Sequence, residues 1–262
     1  MNRHLLLLAL CQGFFLTNNV VFIAINGLVG LQLAPVGWMA TLPVTGYVVG
    51  GALSAVLVAK TQARFGRKRS FQFGLVVAAL SAALCAYAAV TKNFWLLVIA
   101  TVIAGYYNAN AALYRFAGPE LVEPEHKERA ISLVLAGGVI GAFAGPNLAN
   151  FTKSLLPVPF AAAYIALVAV ALASLAVLSL IRFPEHHAPK PGASSGRPLA
   201  QIMRQPVFIV AAAAAALGYG VMNLLMAATP IAMAQCGLPF SSAAVVLEWH
   251  VLGMFVPGFF TG

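Results

Sequence analysis

Scanned for unbroken apolar stretches, the chain shows eight: 5–30, 37–59, 71–90, 94–115, 130–150, 159–181, 207–233 and 242–261. Each approaches the roughly 20 residues that an α-helix needs to cross a bilayer. Inside the runs the apolar positions are continuous. They do not alternate with polar ones over about ten residues, as the strands of a membrane barrel do. Helices and closed barrels are the structures that satisfy every backbone group in hydrocarbon. The pattern therefore predicts an all-α polytopic membrane protein with eight transmembrane helices. The first run opens with Arg3, His4 and Leu5, like a signal peptide, and Cys11 stands where a lipoprotein signal would end. Leu10 is too large to precede that cleavage, and the run continues to Leu31, so a retained first span is expected.

Composition agrees with the pattern. The 262 residues are 61% hydrophobic and 8% charged, against roughly a quarter charged in soluble domains. The net charge of +9 would point to nucleic acid in a soluble protein. Here the basic residues lie in loops, so the expected partner is the lipid bilayer and not nucleic acid. With the N-terminus in the cytoplasm, 13 of the 15 Lys and Arg residues fall in inside segments, among them Lys60, Arg64, Arg67, Lys68 and Arg69. Lys92 and Lys153 remain outside. Such asymmetry sets orientation. It predicts a multi-pass protein of the cell inner membrane with a cytoplasmic N-terminus.

The longest loop, 182–206, separates an expected six-helix bundle (1–181) from the first two helices of a second, incomplete bundle (207–262). It is rich in Pro and Ser and reads as a flexible cytoplasmic linker. Its His186–His187 pair lacks a surrounding ligand set, so no metal is expected. Cys11, Cys85 and Cys236 give no disulfide framework. A weak repeat joins the two parts. Gly13, Phe14 and Asn18 match Gly218, Tyr219 and Asn223; Thr45, Tyr47 and Gly50 match Glu248, His250 and Gly253.

Several of these residues carry a resemblance. Ala63-Arg64-Phe65-Gly66-Arg67-Lys68 after the second run resembles the signature loop of the major facilitator superfamily. Gly137, Gly141, Gly145 and Pro146 in the fifth run are similar to that family's antiporter motif, and Glu128-Arg129-Ala130 resembles its approach. The likeness covers the whole chain and is to poorly characterised bacterial members, so no substrate carries over. The pattern departs at Ala63, where the family has an acid, and at Thr101, where it has an Arg linked to proton coupling. The family has twelve spans. The resemblance thus implies a complete first half followed by two spans of the second.

Candidate chemistry follows. In the resembled family, spans one, four and seven line a central cavity. Asn18, Phe22 and Asn26 share one face of the first helix, Tyr107, Asn110 and Tyr114 one face of the fourth, and Tyr219 and Asn223 one face of the seventh. These are the expected substrate-cavity residues. Polar groups inside spans are costly and mark function or helix-to-helix hydrogen bonds. The chain has no Asp, and Glu248 is the one Glu inside a span. It is the candidate proton carrier, with His250 nearby. Glycines four apart in the fifth run allow close helix approach, and Pro146 permits a bend. Arg64, Gly66, Arg67, Lys68 and Arg129 belong to the conformational motifs.

Enzyme chemistry finds no support: no nucleotide-binding glycine loop, no paired intramembrane carboxylates, no metal-spaced His cluster. No cofactor is expected. The expected function is secondary transport of a small organic solute by alternating access, as export in exchange for protons. The alternative is a non-transporting membrane protein, a sensor or an inactive fragment of a transporter.

Overall fold

The computed structural model describes residues 2–184 and 197–256. The His186–His187 pair and the rest of residues 185–196, about half of the expected linker, lie outside the described residues. The helices are α1 (Arg3–Leu33), α2 (Leu42–Val90), α3 (Phe94–Ala111), α4 (Tyr114–Ala117), α5 (Lys127–Ala136), α6 (Gly138–Thr152), α7 (Ala161–Ser179), α8 (Leu199–Met203), α9 (Pro206–Gln235) and α10 (Phe240–Phe255).

Among the described residues, six helical stretches are long and apolar enough to cross a membrane. One of them, Gly37–Val90, holds two of the expected spans. At 1.5 Å per residue the 49 residues of α2 would measure about 73 Å if straight, more than twice a hydrocarbon core of ~30 Å. The chain reverses at Gly66, whose φ of 77° and ψ of 170° break the helix. That positive φ is a conformation glycine adopts without steric cost. The reversal brings Thr61 Oγ1 within 3.1 Å of Ser70 Oγ, nine residues on. Such a contact does not occur along a straight helix. The last expected span is α10, 16 residues long as described.

Packing between these helices depends on shape, since lipid is as apolar as leucine. Glycines supply the closest approaches. Gly50 and Gly51 of α2 press directly on the backbone of α3 at Val102 and Gly105. Gly137 abuts the backbone of α1 at Ala9, and a Cβ at Gly141 would lie 2.5 Å from Leu16 Cβ. The glycines at 137, 141 and 145 therefore face α1, within the first group of helices, while Gly138 faces Phe255 of α10. The expected bend at Pro146 does not interrupt α6, which runs unbroken from Gly138 to Thr152. Asn147 Nδ2 donates to Phe143 O at 2.8 Å, one residue from the carbonyl of Ala142 that Pro146 cannot pair.

The apolar core falls into two clusters. The one nearer the basic loops draws on Leu8, Phe15, Phe71, Tyr107, Tyr114 and Leu178, all from α1–α7. The one at the opposite end joins Val21, Phe22, Tyr47 and Tyr164 to Met226, Leu247 and Val251. Thus α9 and α10 dock on the other helices at the end away from the basic loops. Buried residues in α9 are confined to Met226, Ala227 and Pro230, whereas 207–221 are exposed.

Candidate solute cavity

Where α9 and α10 part from α1–α4, a cavity of about 540 Å³ opens. That lies inside the ~300–1,000 Å³ range of small-molecule sites. α1 lines it with Gln12, Phe15, Leu16, Asn19 and Val20, and α2 with Val48, Gly51 and Ala52. Asn108 of α3 and Arg115 of α4 add polar groups. The opposing wall is Tyr219, Met222 and Met226 of α9 with Val251, Met254 and Phe255 of α10. Asn19 Nδ2 donates to Asn108 Oδ1 at 3.1 Å, joining α1 to α3 across the floor. Gln12 is 6% exposed, and its Oε1 has no hydrogen-bond partner within the protein. Arg115 stands exposed at the rim, its guanidinium 5.0 Å from the centroid of the Phe116 ring. Among the described residues, no Asp or Glu lines this space.

The structure places most of the expected cavity residues elsewhere. Tyr219 lines the cavity. Asn223 is half-buried and donates to Tyr219 O, 2.9 Å away in its own helix. Asn18, Phe22, Asn26, Tyr107, Asn110 and Tyr114 are buried among α1–α7. Phe22 stacks on Tyr47 with ring centroids 5.2 Å apart. Asn26 Oδ1 accepts from the Tyr164 hydroxyl. Asn110 Nδ2 donates to Ser70 O at 2.9 Å, and Tyr114 meets Phe71 edge to face at 4.8 Å. Each helix carries two polar stripes. Neighbouring residues point about 100° apart on a helix, so Asn18 and Asn19 serve different surroundings. The residues missed were Gln12, Asn19, Asn108 and Arg115. Their signal was present: the members of each pair, Gln12 with Asn19 and Asn108 with Arg115, are separated by two helical turns.

The motif residues build a clamp at the basic-loop end. Arg67 forms an ion pair with Glu120 at 2.6 Å, and its Nη1 donates to Gln62 Oε1 at 3.1 Å. Lys68 Nζ donates to Ser179 O and Ile181 O, both at 2.8 Å. It thereby satisfies carbonyls that the end of α7 leaves without intrahelical donors. Arg64 lies 5.2 Å from the centroid of its neighbour Phe65. Arg129 lines a separate cleft with Glu123 and His126. Glu248 is half-buried, and its Oε2 accepts from Asn147 Nδ2 of α6 at 3.0 Å. It faces the α6–α10 contact and not the cavity. His250 is half-buried, with Nε2 unpartnered. Among the described residues, no group of three metal-ligating side chains occurs.

Two sets of membrane helices thus meet at one end and enclose a partly polar pocket between them. The chain belongs to the Major Facilitator Superfamily, whose family model matches residues 5–262. It is 34% identical over 262 residues to the riboflavin transporter RfnT of Brucella anthropi, covering 99% of this chain and 66% of that protein. It is 27% identical over 274 residues to the uncharacterised MFS-type transporter YdeG of Bacillus subtilis, covering 99% and 64%. Its fold is similar to the crystal structure of a D-xylose–proton symporter, with a TM-score of 0.66, 13% identity, and coverage of 94% of this chain and 64% of that one. The chain thus spans about two thirds of the length of these curated relatives.

Proposed function

We propose that the protein is a secondary transporter that moves a small organic solute across the cell inner membrane by alternating access. The observation that carries this reading is the 540 Å³ cavity between two helix sets that touch at one end and separate at the other. Its rim carries Arg115, on the side of the basic loops, which the Lys and Arg asymmetry assigns to the cytoplasm. The arrangement is then inward-facing. The 34% identity to a riboflavin transporter makes riboflavin the first solute to test. Expression of the gene in a riboflavin-requiring strain, followed with radiolabelled riboflavin, is expected to change the cellular content relative to an empty vector. Unchanged content for riboflavin and for a panel of sugars, nucleobases and organic cations would remove the transport reading.

The same proposal includes export in exchange for protons, with Glu248 as carrier and His250 beside it. Glu248 bridges to Asn147 between α6 and α10, so loss or gain of a proton there would alter the contact between the two helix sets. Glu248→Gln keeps the hydrogen bond but cannot ionise. The expected result is a flattened dependence of transport on pH with solute binding retained. Superimposable pH profiles for the variant and the parent would exclude Glu248 from coupling.

A further inference from the structure

We propose that Lys60, Arg64 and Arg69, on the bilayer-facing side of the α2 hairpin, form a binding site for the phosphate of an anionic phospholipid. The site is separate from the cavity and does not depend on the solute.

Thr61 Oγ1 and Ser70 Oγ meet at 3.1 Å across the hairpin. Lys60 and Arg69 are the residues that precede them. Each helical residue is turned by about 100° from the next. In two antiparallel helices, the residues preceding a facing pair therefore turn to the same side of the pair. Arg64 follows Lys60 by four residues and shares its face. The three cations thus lie on one side of the hairpin.

That side faces lipid. Before Gly66, Leu53, Val56 and Leu57 are exposed, and Lys60 and Arg64 continue their stripe at helical spacing. After Gly66, Arg69 opens a stripe that runs on through the exposed Phe73, Val76 and Leu80. Both apolar stripes end in cations where the chain turns. Long basic side chains lay their stems along apolar surface and carry the charge to the headgroup layer. Phe65, exposed at the turn, adds apolar surface at the same level.

The basic residues of the hairpin divide into two groups. Arg67 pairs with Glu120, and Lys68 holds the carbonyls at the end of α7. Those two are engaged inside the protein. Lys60, Arg64 and Arg69 are exposed, and among the described residues no carboxylate pairs with them. Three like charges on one side of a hairpin repel, and an anion between them relieves the repulsion. A phosphodiester fits this set. The arginines can donate to its oxygens in planar forks, and the lysine supplies a compact charge. A headgroup with its own ammonium, as in phosphatidylcholine, would set a further cation among these three. Phosphatidylglycerol presents hydroxyls there instead.

The test is native mass spectrometry of the purified chain in detergent, titrated with phosphatidylglycerol or phosphatidylcholine of the same acyl chains. Phosphatidylglycerol is expected to bind more tightly. Each cation at a lipid headgroup is worth about fivefold in affinity. Lys60→Gln, Arg64→Gln and Arg69→Gln should each weaken phosphatidylglycerol by about that factor, and the triple variant by about a hundredfold. A control triple, Arg3→Gln, Lys127→Gln and Arg204→Gln, removes the same charge from exposed sites elsewhere and should bind as the parent does. Equal binding of the two lipids by the unaltered chain overturns the proposal and needs no variant to fold. Unchanged selectivity in the hairpin triple variant overturns it as well. Equal losses in the two triple variants would assign the preference to net charge and not to the hairpin, which also rejects the site. Displacement of the lipid by glycerol phosphate at equal concentration would make a soluble anion the occupant and reject the lipid.

Discussion

Tyr164 is buried and donates its hydroxyl to Asn26 Oδ1, while Asn26 Nδ2 has no partner. Tyr164→Phe would leave this carboxamide wholly unpaired within the protein. Hydrogen bonds between membrane helices average about 0.6 kcal/mol and reach about 1.7. We expect Tyr164→Phe to lower the unfolding free energy by an amount in that range, measured by denaturant titration of purified protein. Stability equal to the parent would show that the pair contributes nothing. The same residues show why the expected polar face of α1 is not the one beside the cavity. The stripe of Asn18, Phe22 and Asn26 obeys helical spacing as well as that of Gln12, Phe15 and Asn19. Spacing identifies a stripe but not the neighbour it meets. Tyr47 and Tyr164 cover the first stripe, and the cavity opens beside the second.

At the level of elements, the glycines of the fifth run were legible as close-contact positions, but their partner was not. A Cβ at Gly141 would sit 2.7 Å from Thr17 N, which is backbone and cannot step aside. The contact lies between α6 and α1, within the first group of helices, and not between α6 and α10. Gly141→Leu is thus expected to impair folding itself. It should give less monodisperse protein and a lower melting temperature. Gly138→Leu should instead act through Phe255, a side chain at the α6–α10 contact. It should retain more of the parent's stability while reducing transport. Equal melting temperatures for Gly141→Leu and the parent would contradict this assignment. The hairpin at Gly66 was similarly half visible. The basic loop marked a break between two spans, yet the helical run continues through it on both sides, closed by Arg67 to Glu120 and Lys68 to the end of α7. Those partners lie 53 and more than 100 residues away, beyond any local pattern.

Over the whole molecule, orientation is the testable consequence. Cys11 and Cys85 are buried and Cys236 is exposed, so a Cys236→Ser background should be silent to an impermeant thiol reagent in intact cells. In that background Ser154→Cys, exposed in the loop before α7, is expected to label from outside. Arg64→Cys, exposed in the basic loop, should label only after permeabilisation. The reverse pattern would invert the topology and turn the cavity outward. Helices and family were readable from the chain because the requirement behind them is local: hydrocarbon demands that every backbone group pair within its own segment, so length and apolarity suffice. The rotation of each helix is a collective outcome of packing against several neighbours at once. That rotation sends Asn19 rather than Asn18 to the cavity and Glu248 to Asn147. Apolar length specified the membrane helices of this protein, and only tertiary packing decided which polar face of each one meets the cavity.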